Sequence, residues 1–513
     1  MKNKVVLFQG RASSFGKKIK IAPLALLHVS SFLVKDGFEA RIVSDGLCDD
    51  YIGQTLAQCK DSLCLGITAM TGSQITEGLK ISSLVKNRYP KLPVVWGGWH
   101  PSIMPESTLK DPAVDFVIAG QGERKFYELV KCLRDEKIED LKTIPGVSFK
   151  DGDKLIFNRE FLIEDMDNFP PVPYEIINIE KCLTATEYGK RTLQYISSYG
   201  CPHRCSFCIE PVVNRRRWVS LSAQRVVDDW ARFQREYGID SIAVYDSNFF
   251  VDKRRVVDIC NGLLKKNIRI NWGNANGRIP ALVKYEEPVW ELMQKAGLKM
   301  ILTGSESGEQ EVLDFIQKDT SMEDIYKFTD LCHRYDIKIL FSYMSGMPWS
   351  SDPAFNAGRV RQELDGILNQ VAKLMRVSRK NRFMVYAYTP LPGSAMYELA
   401  KKHGFEEPET LRGWSELTYS PEDIFQKGNC RQKWISSKQF RLITMLEQYI
   451  FGMMDLDARD WISCGINNRF LRIIFKIAFN IGYCLARIRL RFRIFALPFD
   501  YWLFVKLRKL VRM

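Results

Sequence analysis

The chain lacks the features of an exported or disulfide-bonded protein. Its amino terminus has one short apolar run, Val5–Phe8, which is too short for the hydrophobic part of a signal peptide. Its 13 cysteines are an odd number, and most are scattered without the regular framework that disulfides require. We therefore predict reduced thiols, most of them buried, and a cytoplasmic location.

Most of the chain has little net charge, and its composition is that of a globular protein. Of 513 residues, 46% are hydrophobic and 26% are charged, which argues against a disordered chain and leaves room for two or three domains. The net charge of +14 comes mainly from residues 461–513, which carry eleven basic residues and one acidic residue, Asp500. The carboxyl-terminal tail therefore needs a separate explanation.

Three cysteines stand apart from the others by their spacing. Cys201, Cys205 and Cys208 follow a C-x3-C-x2-C pattern. A four-iron cluster normally takes four cysteines, so three would leave one iron open for a substrate or cosubstrate. Zinc is the alternative, but it needs a fourth ligand, and His203 lies inside the short loop, where it could reach the metal only by distorting the turn. Redox or structural thiols would not explain the third cysteine.

This cysteine loop resembles that of the radical S-adenosylmethionine (SAM) superfamily. The resemblance implies that the three cysteines hold a [4Fe-4S] cluster, that SAM binds its open iron, and that one electron cleaves SAM to a 5'-deoxyadenosyl radical. Phe207 matches the aromatic position of the family, near the adenine of SAM. The resemblance also implies a partial (β/α)6 barrel with its active site at the carboxyl ends of the strands, and an electron donor such as flavodoxin or ferredoxin.

The first 145 residues alternate short apolar runs with longer amphipathic ones. This pattern predicts an α/β domain with a doubly wound, Rossmann-like parallel sheet. Glycine-rich turns follow several strands, at the edge where such sheets bind ligands. A dinucleotide is a weak candidate, because the first turn lacks G-x-G-x-x-G. The predicted strands are Val5–Phe8, Glu39–Ser44, Leu63–Thr68, Pro93–Trp96 and Asp115–Ile118.

Two of these turns resemble those of the cobalamin-binding domain that precedes the barrel in one class of radical SAM enzymes, which implies that they bind cobalamin. The D-x-H-x-x-G motif of many cobalamin proteins is absent, because none of the five histidines has an aspartate two positions before it. No histidine is therefore an evident cobalt ligand. His100 is expected to shape its loop or to bond the edge of the corrin ring, with a plain turn residue as the alternative. The matching residues are Gly97, Gly98, His100, Pro101 and Ser102 in the first turn, and Gly120, Gly122 and Glu123 in the second.

Residues 146–190 contain a proline-rich stretch and few periodic patterns, which predicts a linker. Strand and helix patterns resume over residues 191–405, the predicted radical SAM core. Several strand ends in it resemble motifs of the same class, which implies contacts with SAM, although each alone is also typical of a plain turn. The residues concerned are Asp246 and Asn248, either of which could accept a hydrogen bond from the SAM ammonium group, Glu306 and Ser307 beside its ribose and methionine parts, and Gly346 beneath its adenine.

The carboxyl-terminal region, residues 406–513, is predicted to be mostly helical and ends in the basic tail. Cationic and apolar residues recur there at helical spacing on two faces, which predicts an amphipathic helix. Charges interrupt its apolar run, so it should not span a membrane. A helix on an anionic membrane surface and a helix packed on the barrel both remain open, and nucleic acid is less favoured because no recognition module is present. The cationic face contains Arg469, Arg472 and Lys476, and the apolar face contains Phe470, Ile473, Ile474, Ile477 and Ile481.

Together these resemblances imply a cobalamin-dependent radical SAM enzyme, similar in layout to the magnesium-protoporphyrin ester oxidative cyclase and hopanoid methylase group. The expected reaction is methylation of an unactivated carbon, or of phosphorus, in a hydrophobic or natural-product substrate; a lipid-like molecule would suit the tail. Oxidative cyclisation or rearrangement without methyl transfer is the alternative, and a cobalamin or redox sensor is a more distant one. Tyr343, Tyr386 and Tyr388 could line the substrate cavity, although aromatic residues in a barrel more often only pack. No nucleic-acid partner is expected.

Overall fold

A computed structural model describes residues 3–11, 20–158, 163–417, 432–455, 459, 463, 468–495 and 499–510. These residues form a doubly wound domain, a partial barrel and a helical carboxyl-terminal region, in that order along the chain. The α/β class and the layout predicted from the sequence are confirmed.

A seven-stranded sheet forms the centre of the first domain. Its strands are β1 (Lys4–Gln9), β2 (Glu39–Ser44), β3 (Leu65–Thr68), β4 (Val94–Gly97), β5 (Phe116–Ile118), β6 (Val147–Asp151) and β7 (Lys154–Phe157). They lie in the order β2-β1-β3-β4-β5-β6-β7, and β1 to β5 are parallel, as predicted. The antiparallel hairpin β6–β7 extends the sheet past residue 145 into the predicted linker 146–190. A hairpin has no helix between its strands, so the βα alternation that marks the other strands is missing there.

Helices cover both faces of this sheet. They are α1 (Leu24–Lys35), α2 (Tyr51–Cys59), α3 (Ser73–Arg88), α4 (Trp99–Ile103), α5 (Pro105–Leu109) and α6 (Glu123–Arg134). α1 and α6 pack together on one face, and α2 and α3 pack on the other. Alternate residues of β1 serve the two cores, because successive side chains of a strand point to opposite faces. Val5 and Leu7 join the core under α1 and α6, while Val6 and Phe8 join the core under α3.

The strands of the second domain form the partial barrel, except for the third and fourth of them, which pair with each other as a separate two-stranded sheet. They are β8 (Thr184–Thr186), β9 (Gly189–Tyr195), β10 (Ser198–Gly200), β11 (Trp218–Ser220), β12 (Ser241–Val244), β13 (Asn271–Gly273), β14 (Ala275–Asn276), β15 (Met300–Glu306), β16 (Lys338–Ser345) and β17 (Arg382–Ala387). The hydrogen-bonded orders β8-β9-β12-β13 and β14-β15-β16-β17 follow each other around the barrel. Asn274, with φ of 56°, separates β13 from β14, so that together they occupy one strand position. The barrel therefore has six parallel strand positions, with β8 antiparallel at its edge.

Helices follow the barrel strands on the outside. They are α7 (Glu210–Val213), α8 (Ala223–Tyr237), α9 (Lys253–Lys265), α10 (Ile279–Leu282), α11 (Glu287–Lys295), α12 (Gln310–Phe315), α13 (Met322–Arg334) and α14 (Pro353–Val377). Ion pairs join the amino-terminal ends of the last two strands to the turn between β8 and β9. Glu187 in that turn lies 3.3 Å from Lys338 and 2.7 Å from Arg382. The opposite end, where the cysteine loop follows β9, is free for ligands.

The carboxyl-terminal region is helical and contacts both domains. Its elements are α15 (Ala395–Lys402), α16 (Leu411–Ser415), α17 (Ser437–Met445), a π-helix (Leu446–Phe451), α18 (Arg469–Phe492) and α19 (Phe499–Leu510). α16 packs on α3 of the first domain, and α17 and the π-helix pack on β17. α18 agrees with the predicted amphipathic helix. Within the described part of the chain, every helix is too short or too polar to cross a membrane.

Candidate active site

The cysteine loop follows β10 at the carboxyl end of β9. β10 pairs with β11, which fixes the backbone on both sides of the loop. Gly200 precedes the first cysteine with φ of 85°, and a Cβ atom there would lie 2.0 Å from the Arg217 carbonyl oxygen, so only glycine fits. Cys201, Cys205 and Cys208 are free thiols and half-buried. The fold thus holds the three predicted metal ligands in one short, fixed loop.

The arrangement of these thiols argues against a single metal ion. Among the described residues, no three His, Cys, Asp or Glu side chains converge where one ion could bind. Zinc needs such convergence, whereas each iron of a four-iron cluster takes its own thiolate. Burial raises the pKa of Cys201 and raises the pKa of Cys208 to about 12. These thiols are therefore protonated at neutral pH unless bound metal draws off the proton.

Two polar side chains face the thiols and have unused hydrogen-bonding groups. Asn248 donates through Nδ2 to Cys201 Sγ at 3.7 Å, and Arg278 donates through Nη1 to Cys205 Sγ at 3.3 Å. Asn248 Oδ1, Arg278 Nε and Arg278 Nη2 are buried without a partner in the described structure. Buried polar groups are nearly always bonded, so these atoms indicate a ligand beside the loop. Asn248 was predicted from its strand end, whereas the sequence assigned no role to Arg278.

A buried ion pair lies on the other side of the loop. Lys318 Nζ donates to Glu306 Oε1 at 2.8 Å, and the same ammonium lies 5.7 Å from the centre of the Phe207 ring. Glu306 has a left-handed backbone with φ of 61°, which only a tightly held strand end tolerates. Ser307 accepts from the Glu309 amide through Oγ and so shapes the same turn. Phe207, within the loop, thus lies close to this ion pair, while Lys318 was not identified from the sequence. The SAM contacts of Glu306, Ser307 and Phe207 stay predictions.

Asp246 is used within the protein. Its carboxylate accepts from the Ser197 amide at 2.6 Å, from Ser197 Oγ at 2.7 Å and from Ser198 Oγ at 2.6 Å. Arg255 donates to Ser197 Oγ at 2.8 Å and completes this buried network. Asp246 therefore braces the segment that leads into the cysteine loop. Of the two residues considered for the SAM ammonium group, Asn248 is the one that faces a thiol.

Gly346 forms a turn that is fixed by a buried carboxylate. Its amide donates to Glu363 Oε2 at 2.6 Å, and its carbonyl accepts from Trp434 Nε1 at 2.9 Å. Its φ is 86°, and a Cβ atom would lie 2.7 Å from Ile435 Cδ1. Glu363 also accepts from Ser345 Oγ at 2.8 Å. Both backbone groups of Gly346 are occupied, so this turn can offer a ligand its shape and surface.

A large cavity opens at the carboxyl ends of β1, β3, β4 and β5, facing the barrel. Its atom-free space, including its mouth, is about 1170 Å³. One part of it runs between the sheet and helices α1 and α6, where Leu7, Leu26 and Phe126 line it. A Cβ atom at Gly66 would lie 2.7 Å from Leu7 and 3.0 Å from Phe126, so only glycine lets these two side chains lie against β3 at the wall of this slot. The predicted cobalamin residues that line the cavity are Gly97, Gly98, Ser102, Gly120 and Gly122.

Ser102 joins the two glycine-rich turns of this cavity. Its Oγ donates to the Gly98 carbonyl at 2.6 Å and accepts from the Gly120 amide at 2.8 Å. Gly98 has φ of 96°, and a Cβ atom there would lie 2.7 Å from Thr68 Oγ1. The turns therefore form one rigid edge of bare backbone, which a large ligand can approach closely.

His100 points away from the cavity. It is fully buried, its Nδ1 lies 3.0 Å from Thr71 Oγ1, and its ring packs 5.5 Å from the Trp414 ring in α16. Burial lowers its pKa to about 4, so the imidazole is neutral. It thus shapes its loop and anchors the carboxyl-terminal region, the first of the roles expected for it. Its Nε2 is buried without a partner among the described residues, and bonding of this atom to the corrin edge stays a prediction.

A hydrogen-bond network that the sequence did not predict joins the cavity to the cysteine loop. Tyr199, two residues before Cys201, donates through its hydroxyl to Glu123 Oε1 at 2.8 Å and lies 2.8 Å from His28 Nδ1. Tyr199 and Glu123 both line the cavity. Burial and the Glu123 carboxylate raise the pKa of Tyr199 well above its usual value, so it remains a neutral donor. One side chain thus links both halves of the site.

The three tyrosines considered for a substrate cavity differ in exposure. Tyr343 and Tyr388 are buried and belong to the packing of the barrel, whereas Tyr386 on β17 is 40% exposed. Tyr245, at the end of β12, is 46% exposed and lines the cavity of the first domain. Tyr245 and Tyr386 are therefore the tyrosines that a substrate can reach.

Two family descriptions match the sequence where this geometry lies. The radical SAM superfamily matches residues 195–352, and the B12 binding domain matches residues 18–130. The chain is a radical SAM enzyme with a cobalamin-binding domain. Its cofactors are a [4Fe-4S] cluster, SAM and cobalamin.

This radical SAM enzyme is similar to curated proteins over most of its length. An uncharacterized methyltransferase of Pyrococcus horikoshii is 28% identical over 384 residues, which are 74% of this chain and 78% of that protein. The anaerobic magnesium-protoporphyrin IX monomethyl ester cyclase of Synechocystis is 23% identical over 64% of this chain and 65% of its own length. The predicted resemblance to the cyclase group is confirmed.

A solved structure shares the fold. The cobalamin-dependent SAM radical enzyme OxsB, with aqua-cobalamin and SAM bound, matches with a TM-score of 0.69 at 16% identity, covering 100% of this chain and 75% of OxsB. At this identity the likeness concerns the fold, namely a cobalamin-binding domain followed by a radical SAM barrel. The edge of bare backbone at Gly98 and the unpaired donors of Arg278 fit the cofactors of the enzyme on grounds of their own.

Proposed function

We propose that this enzyme is a methyltransferase that acts on an unactivated carbon, or on phosphorus, of a hydrophobic or natural-product small molecule. One observation carries the proposal. Ser198 and Tyr199 line the cavity of the first domain and directly precede Gly200 and Cys201, so the cavity and the cysteine loop share a wall. A methyl group carried on one side and a radical formed on the other would then reach the same substrate.

The protein's part in this reaction is to hold and orient the cofactors. When bound, the cluster and SAM supply a radical that removes a hydrogen atom, and cobalamin supplies the methyl group. We assign the three cysteines to the cluster, and Arg278 and Asn248 to the polar groups of SAM, because their unpaired atoms are buried beside the loop. Gly98 and Ser102 form the rigid backbone edge for the corrin ring. The hydrogen bond from Tyr199 to Glu123 holds the cysteine loop at a fixed position relative to that edge.

The electron, in this proposal, comes from a small acidic protein such as flavodoxin or ferredoxin. Exposed arginines surround the cysteine loop: Arg204 lies within it, and Arg216 and Arg217 follow before β11. Arg216 donates to the Pro202 carbonyl at 3.3 Å, which keeps its charge at the loop. Arg216→Glu should raise KM for flavodoxin and leave reduction by dithionite unchanged, since charge steers association. Equal effects on both reductants, or the same effect from exposed Arg235→Glu, would contradict it.

Anaerobic reconstitution with SAM, cobalamin and a reductant tests the reaction. SAM with a deuterated methyl group should yield 5'-deoxyadenosine, S-adenosylhomocysteine and, in extracts of cells lacking the enzyme, a compound heavier by one labelled methyl group. Cys205→Ala should abolish all three products. Cys132→Ala, which removes a half-buried thiol far from the loop in sequence, should abolish none. Absence of both SAM products from the intact enzyme would refute the enzymatic reading.

The similarity to the magnesium-protoporphyrin ester cyclase supports a second candidate, oxidative cyclisation or rearrangement without methyl transfer. The same experiment separates the two. Deoxyadenosine that depends on the cluster, formed without S-adenosylhomocysteine and without incorporation of the labelled methyl group, would favour the cyclase reaction.

A further inference from the structure

Helix α18 packs on the protein mainly through small residues, whereas a core helix would bury its large apolar side chains. Its buried residues are Phe479, Gly482 and Ala486, two of which are small. Gly482 lies so close to Met453 that a Cβ atom there would be 2.7 Å from the sulfur. The helix therefore lies tightly against the π-helix region through a narrow strip. Its large apolar side chains point in the opposite direction.

These side chains form what we call the outer stripe. They recur every three or four residues, which keeps them on one face, and each is between 37% and 69% exposed. Single exposed apolar residues are ordinary, but a continuous stripe along a helix of 24 residues marks an interaction surface. The outer stripe consists of Phe470, Ile474, Ile477, Ile481, Leu485, Ile488 and Phe492.

The charges on α18 decide which partner fits the outer stripe. The helix has six basic residues and no acidic residue. Arg469, Arg487 and Arg491 are exposed along one edge of the stripe. A second copy of the chain docked through this helix would bring cations against cations, because the helix has no carboxylate to pair with them. A layer of anionic lipid headgroups supplies the missing charge, and the acyl region beneath it accepts the apolar side chains.

We propose that α18 lies flat on an anionic membrane surface, with the outer stripe below the headgroups and Arg469, Arg487 and Arg491 beside the phosphates. Phe499 and Trp502 of α19, the helix that follows α18 in the chain, are also exposed. The contact is independent of the proposed methyl transfer, because no residue of the outer stripe belongs to the cofactor sites.

Vesicle co-sedimentation of the reconstituted full-length enzyme tests the contact. The wild type should bind vesicles that contain phosphatidylglycerol, and bind vesicles of phosphatidylcholine alone much less. Ile477→Glu/Ile488→Glu should weaken binding at least about tenfold, because it removes apolar contact and adds repulsion. Ile138→Glu/Leu264→Glu makes the same kind of change at comparably exposed positions, 48% and 44%, and should bind like the wild type.

A charge variant tests the role of the lipid headgroup. Arg487→Gln/Arg491→Gln should weaken binding to anionic vesicles about thirtyfold, at roughly 1 kcal/mol per cation, and binding should fall as salt rises. Failure of the wild type to bind either vesicle, or equal binding by Ile477→Glu/Ile488→Glu, would overturn the proposal. A third result would also overturn it: light scattering shows a dimer, Ile477→Glu/Ile488→Glu dissociates that dimer, and the wild type does not bind vesicles. That result would assign the outer stripe to self-association.

Deoxyadenosine formation by the same preparations reports separately on the proposed chemistry. All stripe and charge variants should form it at the wild-type rate, because they lie outside the cofactor sites. Vesicle binding without deoxyadenosine would contradict the proposed function and leave the membrane contact standing. Deoxyadenosine formation without vesicle binding would contradict the membrane contact and leave the proposed function standing.

Discussion

Replacement of Glu447 by glutamine should stabilise the enzyme at alkaline pH. Glu447 lies on the π-helix next to the last barrel strand and has no hydrogen-bond or ion-pair partner in the described structure. Burial raises the pKa of its carboxyl from 4.5 to about 7. It is close enough to Tyr386 that burial and the Glu447 charge together raise the pKa of that phenol to about 12. A carboxylate at this position is therefore poorly solvated and uncompensated.

The two pKa values of Glu447, folded and unfolded, set the direction and size of the gain in stability. The folded protein keeps the proton up to about pH 7, whereas the unfolded chain loses it near pH 4.5. The cost of ionisation in the folded state therefore grows as pH rises from about 4.5 to 7, and all of it is present above pH 7. The difference between the two pKa values corresponds to about 3 kcal/mol. Glutamine cannot ionise, so it should gain about 3 kcal/mol at pH 8 and less than about 1 kcal/mol at pH 5.

Thermal unfolding under anaerobic conditions, for both proteins at pH 5 and pH 8, measures this difference. Glu447→Gln should melt above the wild type at pH 8 and near it at pH 5. Glu398→Gln, an exposed glutamate of α15, should show no such pH dependence. A melting temperature of Glu447→Gln that is not raised at pH 8, or that is raised equally at pH 5 and pH 8, would contradict this prediction.

Three further substitutions test other parts of the site. Arg278→Gln should keep the iron content but lower deoxyadenosine formation at least about tenfold, since hydrogen bonds from a charged group are worth roughly 1.5–3 kcal/mol. The control Lys284→Gln, at an exposed position, should change neither the iron content nor deoxyadenosine formation. Gly66→Val should fill the slot in the first domain and abolish the cobalamin absorbance of the reconstituted enzyme, whereas Gly358→Val, at a site with open space around it, should retain it. Trp414→Ala should lower stability by about 3 kcal/mol, measured by thermal unfolding, and leave deoxyadenosine formation intact at low temperature, because the indole packs on His100 outside the cofactor sites.

The parts of the fold that local patterns encode were predictable. β1 to β5 alternate with amphipathic helices, so both their existence and their parallel direction follow from the sequence. The glycines at 97, 98, 120 and 122 were predicted to let backbone approach a ligand, and all four line the cavity. The hairpin β6–β7 escaped prediction because its alternation is short and carries no helix.

Contacts between distant segments could not be predicted in the same way. Arg278 lies 73 positions from the cysteine it contacts, and Tyr199 lies 171 positions from His28. No local pattern pairs such residues; only the closed barrel and the docked first domain bring them together. The tail shows a related limit: its sequence defines two faces of a helix, but only the packing of Gly482 on Met453 shows which face turns outward.

The hydrogen bonds of the Tyr199 hydroxyl restrict how domains can be exchanged between such enzymes. Tyr199 belongs to the barrel, while Glu123 and His28, which it meets, belong to the first domain. A first domain transplanted from a relative would fold around its own sheet, yet it would leave the cysteine loop without this anchor unless it carried matching partners at both positions. A chimera should therefore keep Tyr199, Glu123 and His28 from one parent, with the exchange point placed after the cysteine loop.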